Sequence, residues 1–235
     1  IGQRGWVWAR IALGLALGLW AAWGFWAVPR GAVEDPDLVL YQKNLLWFDL
    51  DRTALIADIR ASGADLVTLQ EVSPPNEALI TALSDLYPHA HGCPRARVGG
   101  MWVLSRWPLS EQSCPLPGGM SIARAETEAG PLWVASVHLL WPWPYDQAEQ
   151  VSLLQADLEA LGSGPAVIGG DFNAVPWGAA LGRIAQPTGT SRVGRVIRTH
   201  QYRGVILPID HVLASGRGTI EIRPSFGSDH YGVLA

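Results

Sequence analysis

The chain has 235 residues, 49% hydrophobic and 16% charged, with a formal net charge of −4. That length allows one sizeable core, and the charge content is thin for a wholly water-exposed protein. With Arg4, Arg10 and Arg30 set aside, 14 of the 17 basic residues face 21 acidic ones, a formal −7 over the remainder that disfavours a general nucleic-acid-coating role.

The first segment carries much of the apolar bias. From Ile11 to Val28 the run IALGLALGLWAAWGFWAV has no charged or strongly polar side chain. A helix over about residues 6–28, rising ~1.5 Å per residue, spans roughly a bilayer core, so residues 1–30 are expected to form a membrane anchor built on one transmembrane helix. Trp6, Trp8, Trp23 and Trp26 near its ends suit an interfacial belt. A cleaved signal peptide is the competing reading, although its apolar region is typically shorter. Arg4 and Arg10 precede the run, whereas Glu34, Asp35 and Asp37 follow it, which puts the N-terminus in the cytoplasm and the rest on the extracytoplasmic side. Residues 31–37, mixing Gly, Pro and charge, read as a linker.

From residue 38 to 235 the pattern changes. Short runs rich in β-branched and aromatic residues recur (LVLYQKNLLW, DLVTLQEV, GMWVLS, LWVASVHLL, PAVIGGDFN, VILPIDHVLA, HYGVLA) and are expected to be strands. Helical spacing of apolar positions marks Arg52 to Ser62, Asn76 to Leu86 and Gln147 to Leu161. Together these predict one α/β domain, a two-sheet sandwich with helices outside. Cys93 and Cys114 flank GGMWVLSRWPL; they read either as a disulfide clasping the ends of that strand or as two buried thiols. His89 and His91, in YPHAHGCP, read as a surface turn rather than a transition-metal pair. No acidic residue lies between Asp171 and Asp210, while Arg183, Arg192, Arg195, Arg198 and Arg203 do, so this stretch is either a receiver for an anionic substrate or a solvated basic loop.

The polar residues Asn44, Glu71, His138, Asp171, Asn173 and Asp210 each stand near the end of an apolar run, and Asp229 and His230 follow a Gly-Ser turn. Side chains at the ends of neighbouring strands converge on one rim of a sheet. Singly, each has an ordinary structural reading as a turn residue or a core hydrogen-bond partner. Together, LQEV, SVHL, GGDFNAVP, IDHVLAS and GSDH resemble, in order, the signature segments of the endonuclease/exonuclease/phosphatase superfamily, over essentially Leu38 to Ala235.

That resemblance implies a four-layer α/β/β/α sandwich of the DNase-I-like kind and a set of roles. Glu71 is the expected principal ligand of a divalent metal, Mg²⁺ with Mn²⁺ as substitute, helped by Asn44 and Asp229; hard oxygen donors suit such a cation. His230 resembles the histidine that activates the attacking water, and Asp210 its carboxylate partner. Asp171 and Asn173 would position the nucleophile and the phosphate oxygens, and His138 would donate to the phosphate or the leaving oxygen. Candidate substrate contacts are Arg106, Arg198, Trp141 and Trp143. The proline-stiffened loop LLWPWPYDQ after His138 would stack on a base, dip into lipid headgroups, or pack on the sheet edge.

Phosphodiester hydrolysis independently asks for such a set, since an anionic ester repels hydroxide and needs a cation or donors, a base, and relief of charge on the leaving group. No Gly-x-Ser-x-Gly elbow, P-loop or Cys-x-x-Cys pattern offers another chemistry. The expected partners are a diester substrate, DNA, RNA or a phospholipid headgroup, and the membrane; no segment points to an obligate protein partner. A phosphomonoesterase acting on inositol-type phosphates and a catalytically silent, tethered interaction module of the same fold stay open.

Overall fold

In the computed structural model, residues 3–26, 36–94 and 98–235 are described. Helix α1 (Gln3–Trp26) forms where the apolar run predicts it, and its side chains are described over residues 5–19, all of them exposed. Among the described residues no helix is long and apolar enough to cross a membrane. The expected bilayer span is therefore not supported by the described residues. Most of the expected linker lies outside the described residues.

The rest of the chain builds two six-stranded sheets. The first, in spatial order, is β13 (Glu221–Arg223), β14 (Gly232–Leu234), β1 (Leu40–Asn44), β2 (Leu66–Val72), β4 (Gly100–Ser105) and β3 (His89–Cys93). The second is β5 (Leu109–Ser113), β6 (Met120–Thr127), β7 (Gly130–His138), β8 (Ala166–Asp171), β12 (Asp210–Ala214) and β9 (Ser191–Arg192). A hairpin of β10 (His200–Tyr202) and β11 (Val205–Leu207) stands apart.

Each sheet is centred on one parallel pair, β1 with β2 and β7 with β8, flanked by antiparallel strands. Parallel neighbours need a crossover, and helices supply it. One crossover is α2 (Thr53–Ser62), closed by Gly63 at φ 71, where a left-handed residue stops the helix. The other is α4 (Gln147–Leu153) with α5 (Gln155–Leu161), two short helices breaking at Leu154 where one was expected. Helix α3 (Glu77–Ala82) lies on the first sheet with α2; α6 (Ala179–Ala185) joins α4 and α5 on the second.

Period-2 alternation sorts the side chains into layers. Leu40, Leu66, Val103, Val134, Val167 and Val212 meet between the sheets. On the outer faces, Tyr41, Val67 and Leu69 pack with Leu55, Ile59 and Leu79, while Ala135, Val137 and Ile168 pack with Val151, Leu158 and Ile184. At roughly 1.5–3 kcal/mol per fully buried large aliphatic side chain, these three clusters supply most of the driving force. The result is the expected helix–sheet–sheet–helix order.

Two local expectations are corrected. His89 and His91 sit in edge strand β3, not in a turn, because the segment pairs with β4 from His89↔Ser105 to Cys93↔Met101. Cys93 and Cys114 are bonded, but the bridge does not clasp the ends of one strand: Cys93 ends β3 in the first sheet and Cys114 follows β5 in the second, so it ties the two sheets together. The bridge encloses a separation of 21 residues. Closing a loop of that size restricts the unfolded chain by about 3 kcal/mol. Reduction, or the double change Cys93→Ser and Cys114→Ser, should lower unfolding stability in urea by roughly 2–4 kcal/mol. Unchanged stability under reducing conditions would show that the sheets are held without it.

Candidate active site

Strand direction brings the polar residues together. Asn44, Glu71, His138 and Asp171 stand at or near the C-terminal ends of the four parallel strands. Asp210 begins β12, antiparallel to β8, and His230 stands two residues before β14, antiparallel to β1, so both reach the same edge. In register, Asp210 faces Asp171 and His138 faces Asp171.

Glu71 reaches the rim by a departure from alternation. The β2–β4 register shifts between Leu69 and Val72, and Glu71 takes φ 59, left-handed for a residue other than glycine. Val72 thereby stays in the outer core while Glu71 turns into the cleft. Such strain costs on the order of 1 kcal/mol or more and is held by the surroundings. Gly99 packs against this bulge, where a Cβ would stand 2.5 Å from the carbonyl carbon of Val72. The buried Arg52 guanidinium donates to the carbonyls of Leu45 (2.7 Å) and Leu46 (2.9 Å) and to Asn76 Oδ1 (2.9 Å), and Asn76 Nδ2 in turn donates to Leu46 O. This pins the loops that follow β1 and β2.

Asp171 Oδ2 is the hub of the cleft. It accepts from Asn44 Nδ2 at 3.1 Å and lies 3.6 Å from His230 Nε2 and 3.7 Å from His138 Nε2. Glu71 Oε1 accepts from Asn44 Nδ2 at 3.2 Å and is 3.8 Å from His138 Nε2; its other oxygen accepts from Trp47 N at 3.0 Å. Asp171 Oδ1 accepts from Asn173 N at 2.9 Å, and Asn173 Nδ2 donates to Leu139 O at 2.8 Å. Asn173 Oδ1 is buried with no hydrogen-bond partner among the described residues. His230 Nδ1 is 2.8 Å from Asp210 Oδ2, which fixes the ring with Nε2 facing the cleft.

Burial and charge set the proton affinities. Burial raises the Asp171 carboxyl, and Asp210 and Glu71 add to the rise against the opposing pull of His230. Burial likewise lifts Glu71, partly offset by its bonds from Asn44 and Trp47. For Asp210 burial works upward too, but the charge and hydrogen bond of His230, with bonds from Thr199 and Gln42, outweigh it and hold the carboxyl low. Burial works against the His230 imidazolium; Asp210, Asp171 and Asp229 outweigh it and push the pKa up to about 9.

A floor of polar side chains between the sheets carries the site. Gln42 Nε2 donates to Gln70 Oε1 (2.8 Å) and Asp210 Oδ1 (3.1 Å), Gln70 Nε2 donates to Ser136 Oγ (3.0 Å), and Ser136 donates to Leu69 O (2.9 Å). Lys43 is fully buried and donates to Ser225 O at 2.8 Å and to His230 O, anchoring the Gly-Ser turn. None of these was singled out from the sequence, although Gln42 and Ser136 stand two residues before Asn44 and His138, the spacing of one strand face. His200 was also missed: its ring lies 4.2 Å from that of His230, its Nδ1 3.8 Å from Asp229 Oδ2, and the Trp141 ring is tilted beside it at 5.9 Å.

The remaining expected residues divide. Asn44 turns its Nδ2 to the two carboxylates and its Oδ1 to Leu46 N (3.0 Å), so in this orientation it is a donor that holds Glu71 and Asp171. Asp229, 42% exposed, faces His200. Trp143 is 83% exposed on the loop after β7. Arg106 is a correction: it follows β4 at the opposite edge, where it pairs with Asp65 (3.2 Å) and donates to Gly63 O, because β4 runs antiparallel to β2. The basic stretch also disperses. Arg183 binds Ala148 O and Ser152 on the outer helices, Arg192 turns to Gly194 O, and Arg195 lines a cavity of about 690 Å³ at the edge opposite the site. Arg198 and Arg203 alone of the five flank the catalytic edge, before and within the β10–β11 hairpin. The large cavity holds no histidine and none of the clustered carboxylates, so its size does not locate the chemistry.

Residues 41–230 match the Endonuclease/Exonuclease/phosphatase family, and the chain belongs to that family. No curated protein matches it. Among solved structures, truncated Caenorhabditis elegans TDP2 superposes with a TM-score of 0.68 at 14% identity, over 84% of this chain and 96% of that one. Sphingomyelinase C from Streptomyces griseocarneus gives 0.60 at 18% identity over 85% and 99%. Beta toxin from Staphylococcus aureus, a F277A, P278A mutant with bound magnesium ions, gives 0.60 at 14% identity over 85% and 99%. At these identities the likeness is one of fold.

Removing the donor from Asp210 tests the polar floor. Gln42→Leu should lower kcat about tenfold with KM little changed, since a hydrogen bond to a buried charge contributes ~1.5–3 kcal/mol. Wild-type turnover in that variant would mean that Asp210 is oriented by His230 and Thr199 alone.

Proposed function

We propose that the protein is a divalent-metal-dependent phosphodiesterase that hydrolyses its substrate by water attack, with His230 as base. The observation that carries the reading is the pairing of His230 Nδ1 with Asp210 at 2.8 Å while Nε2 faces Asp171 Oδ2 at 3.6 Å. Asp210 holds the tautomer and stabilises the imidazolium; Asp171 and the unpartnered Asn173 Oδ1 orient water in front of Nε2. His138, 3.7 Å from the same carboxylate, donates to a phosphate oxygen or to the leaving oxygen. In-line attack opposite the leaving group and departure past His138 complete the reaction.

The donor set fits a hard cation. Glu71, Asp171 and Asp210 bring three largely buried carboxylates together, and the positive partners within ion-pair reach of Glu71 and Asp171 are imidazoles. A histidine held at a pKa of about 9 is protonated at neutrality, so a base working there needs some of that negative charge cancelled. Glu71 with Asp171 would hold Mg²⁺, or Mn²⁺ in its place, which when bound withdraws charge from the phosphoryl oxygens. Beta toxin, of the same fold, has been solved with magnesium. Sphingomyelinase C among the similar structures favours a diester over a monoester, without fixing which diester.

The experiment is hydrolysis of bis-p-nitrophenyl phosphate with and without EDTA. Chelation should abolish turnover and Mg²⁺ restore it, while Glu71→Ala and His230→Ala each lose about 10²–10⁴-fold and stay folded. Activity confined to the monoester would favour a phosphatase, and activity of either variant near wild type with Mg²⁺ would remove its assigned role.

We further propose that α1 tethers the domain to a membrane, with the domain on the extracytoplasmic side. Its described side chains are exposed all round, including Leu13, Leu15, Leu17 and Leu19, and the disulfide suits an oxidising compartment. The full chain should sediment with membranes more completely than a form lacking residues 1–30; recovery of the full chain in the soluble fraction would end the idea.

A further inference from the structure

Exposed apolar side chains are ordinary when scattered and informative when gathered. Within the catalytic domain the strongly exposed large hydrophobic residues fall almost wholly on loops leaving the catalytic edge. Trp47 (41% exposed) follows β1, Trp143 (83%) follows β7, and Trp177 (65%) follows β8. Leu116 (84%) lies between β5 and β6, on the end of β6 that pairs with the end of β7. Tyr202 (47%) and Ile206 (42%) occupy the β10–β11 hairpin, which leads directly into Asp210. Five separate loops thus place apolar groups around one mouth; the exceptions, Leu153 on α4 and Ile222 on β13, belong to an outer helix and an edge strand.

We infer that this rim docks on a phospholipid bilayer, so that the substrate is a phospholipid-type diester presented at the membrane interface. The inference rests on the diesterase reading of the site and names its substrate class. Chemistry favours lipid over nucleic acid on two counts. Tryptophan and tyrosine settle at the headgroup level, and Leu116 and Ile206 have no π-face to stack on a base but partition readily beneath headgroups. The rim's charges are mixed: exposed Asp49, Asp51 and Asp146 share it with Arg198 and Arg203, whereas a strand-tracking groove needs cationic excess. The formal −7 after residue 30 points the same way.

The full chain is labelled with an environment-sensitive fluorophore at single cysteines, Ile206→Cys or Trp177→Cys on the rim and Leu153→Cys or Ile222→Cys off it, the native cysteines being bonded to each other. Phosphatidylcholine vesicles and a single-stranded oligonucleotide are the two probes. Blue-shifted, brighter emission at both rim positions with vesicles, and no change at the two controls, is the expected result. Silence at the rim overturns the inference, including the case in which α1 alone holds the protein on the vesicle. A response at all four positions, or a rim response to the oligonucleotide equal to or above that to vesicles, overturns it as well. Fluorescence requires no turnover, so failure of the diesterase assay is read separately. As a second measure, Ile206→Ser should weaken the response of the label at Trp177→Cys by roughly tenfold in vesicle concentration, with bis-p-nitrophenyl phosphate hydrolysis unchanged.

Discussion

Three carboxylates with little access to water, gathered at one end of a sandwich, are the constraint on which this architecture turns. Two like charges ~4 Å apart repel by about 4 kcal/mol at the effective dielectric of a partly buried protein site, and burial adds to the penalty. Glu71, Asp171 and Asp210 are therefore tolerable only with donors fixed around them. Asn44, His138 and His230 fill that role above and Gln42 from below, while Thr199 Oγ1 accepts from the Asp210 amide. Asp210 receives the closest partners and stays ionised, whereas Asp171 and Glu71 are lifted. That difference separates the carboxylate that serves the base from those left short of positive charge.

The inter-sheet layer shows how the fold accommodates such a cluster. Moving along the strands toward the catalytic edge, one face passes from Leu40, Val134 and Val212, through Gln42, Ser136 and Asp210, to Asn44 and His138. Each strand changes from apolar to hydrogen-bonded polar to functional at two-residue steps, so Gln42, Gln70, Ser136 and Asp210 meet one another across neighbouring strands and between the sheets. Close approach of β7 and β8 depends on Gly170, where a Cβ would stand 2.1 Å from Val137 O. Adjacent to Asp171, that contact keeps the second sheet's share of the hub in place.

Much of this was legible because it follows from strand direction. A polar residue ending an apolar run marks the edge of a sheet, and Asn44, His138, Asp171 and Asp210 are found there. The crossover helices α2 and α4–α5 follow from their spacing. Strands β3, β5 and β6 were not recognised, since they carry histidines, serines, alanine and charges rather than β-branched runs, and their pairing partners stabilise them from outside. Arg106 was misplaced because a charge after a strand says nothing of which edge that strand ends on; antiparallel β4 puts it at the far one. His200 had no local signal, since its place beside His230 comes from an isolated bridge between residues thirty apart.

The bulge at Glu71 answers to the same constraint. With regular pleating, Glu71 would share the outer face with Leu69 and its carboxylate would enter the apolar cluster of Leu55, Ile59 and Leu79. A one-residue shift returns Val72 to that cluster and swings the carboxylate to the cleft, where Trp47 N and Asn44 meet it. Transfer of an unpaired carboxylate into an apolar layer costs several kcal/mol, far more than a left-handed residue. The strain at Glu71 is thus the smaller of two penalties. It also gives the loops after β1 and β2 a reason to be pinned by Arg52 and Asn76: were they free to relax, the strand would recover its pleat and the cleft would lose its outermost carboxylate.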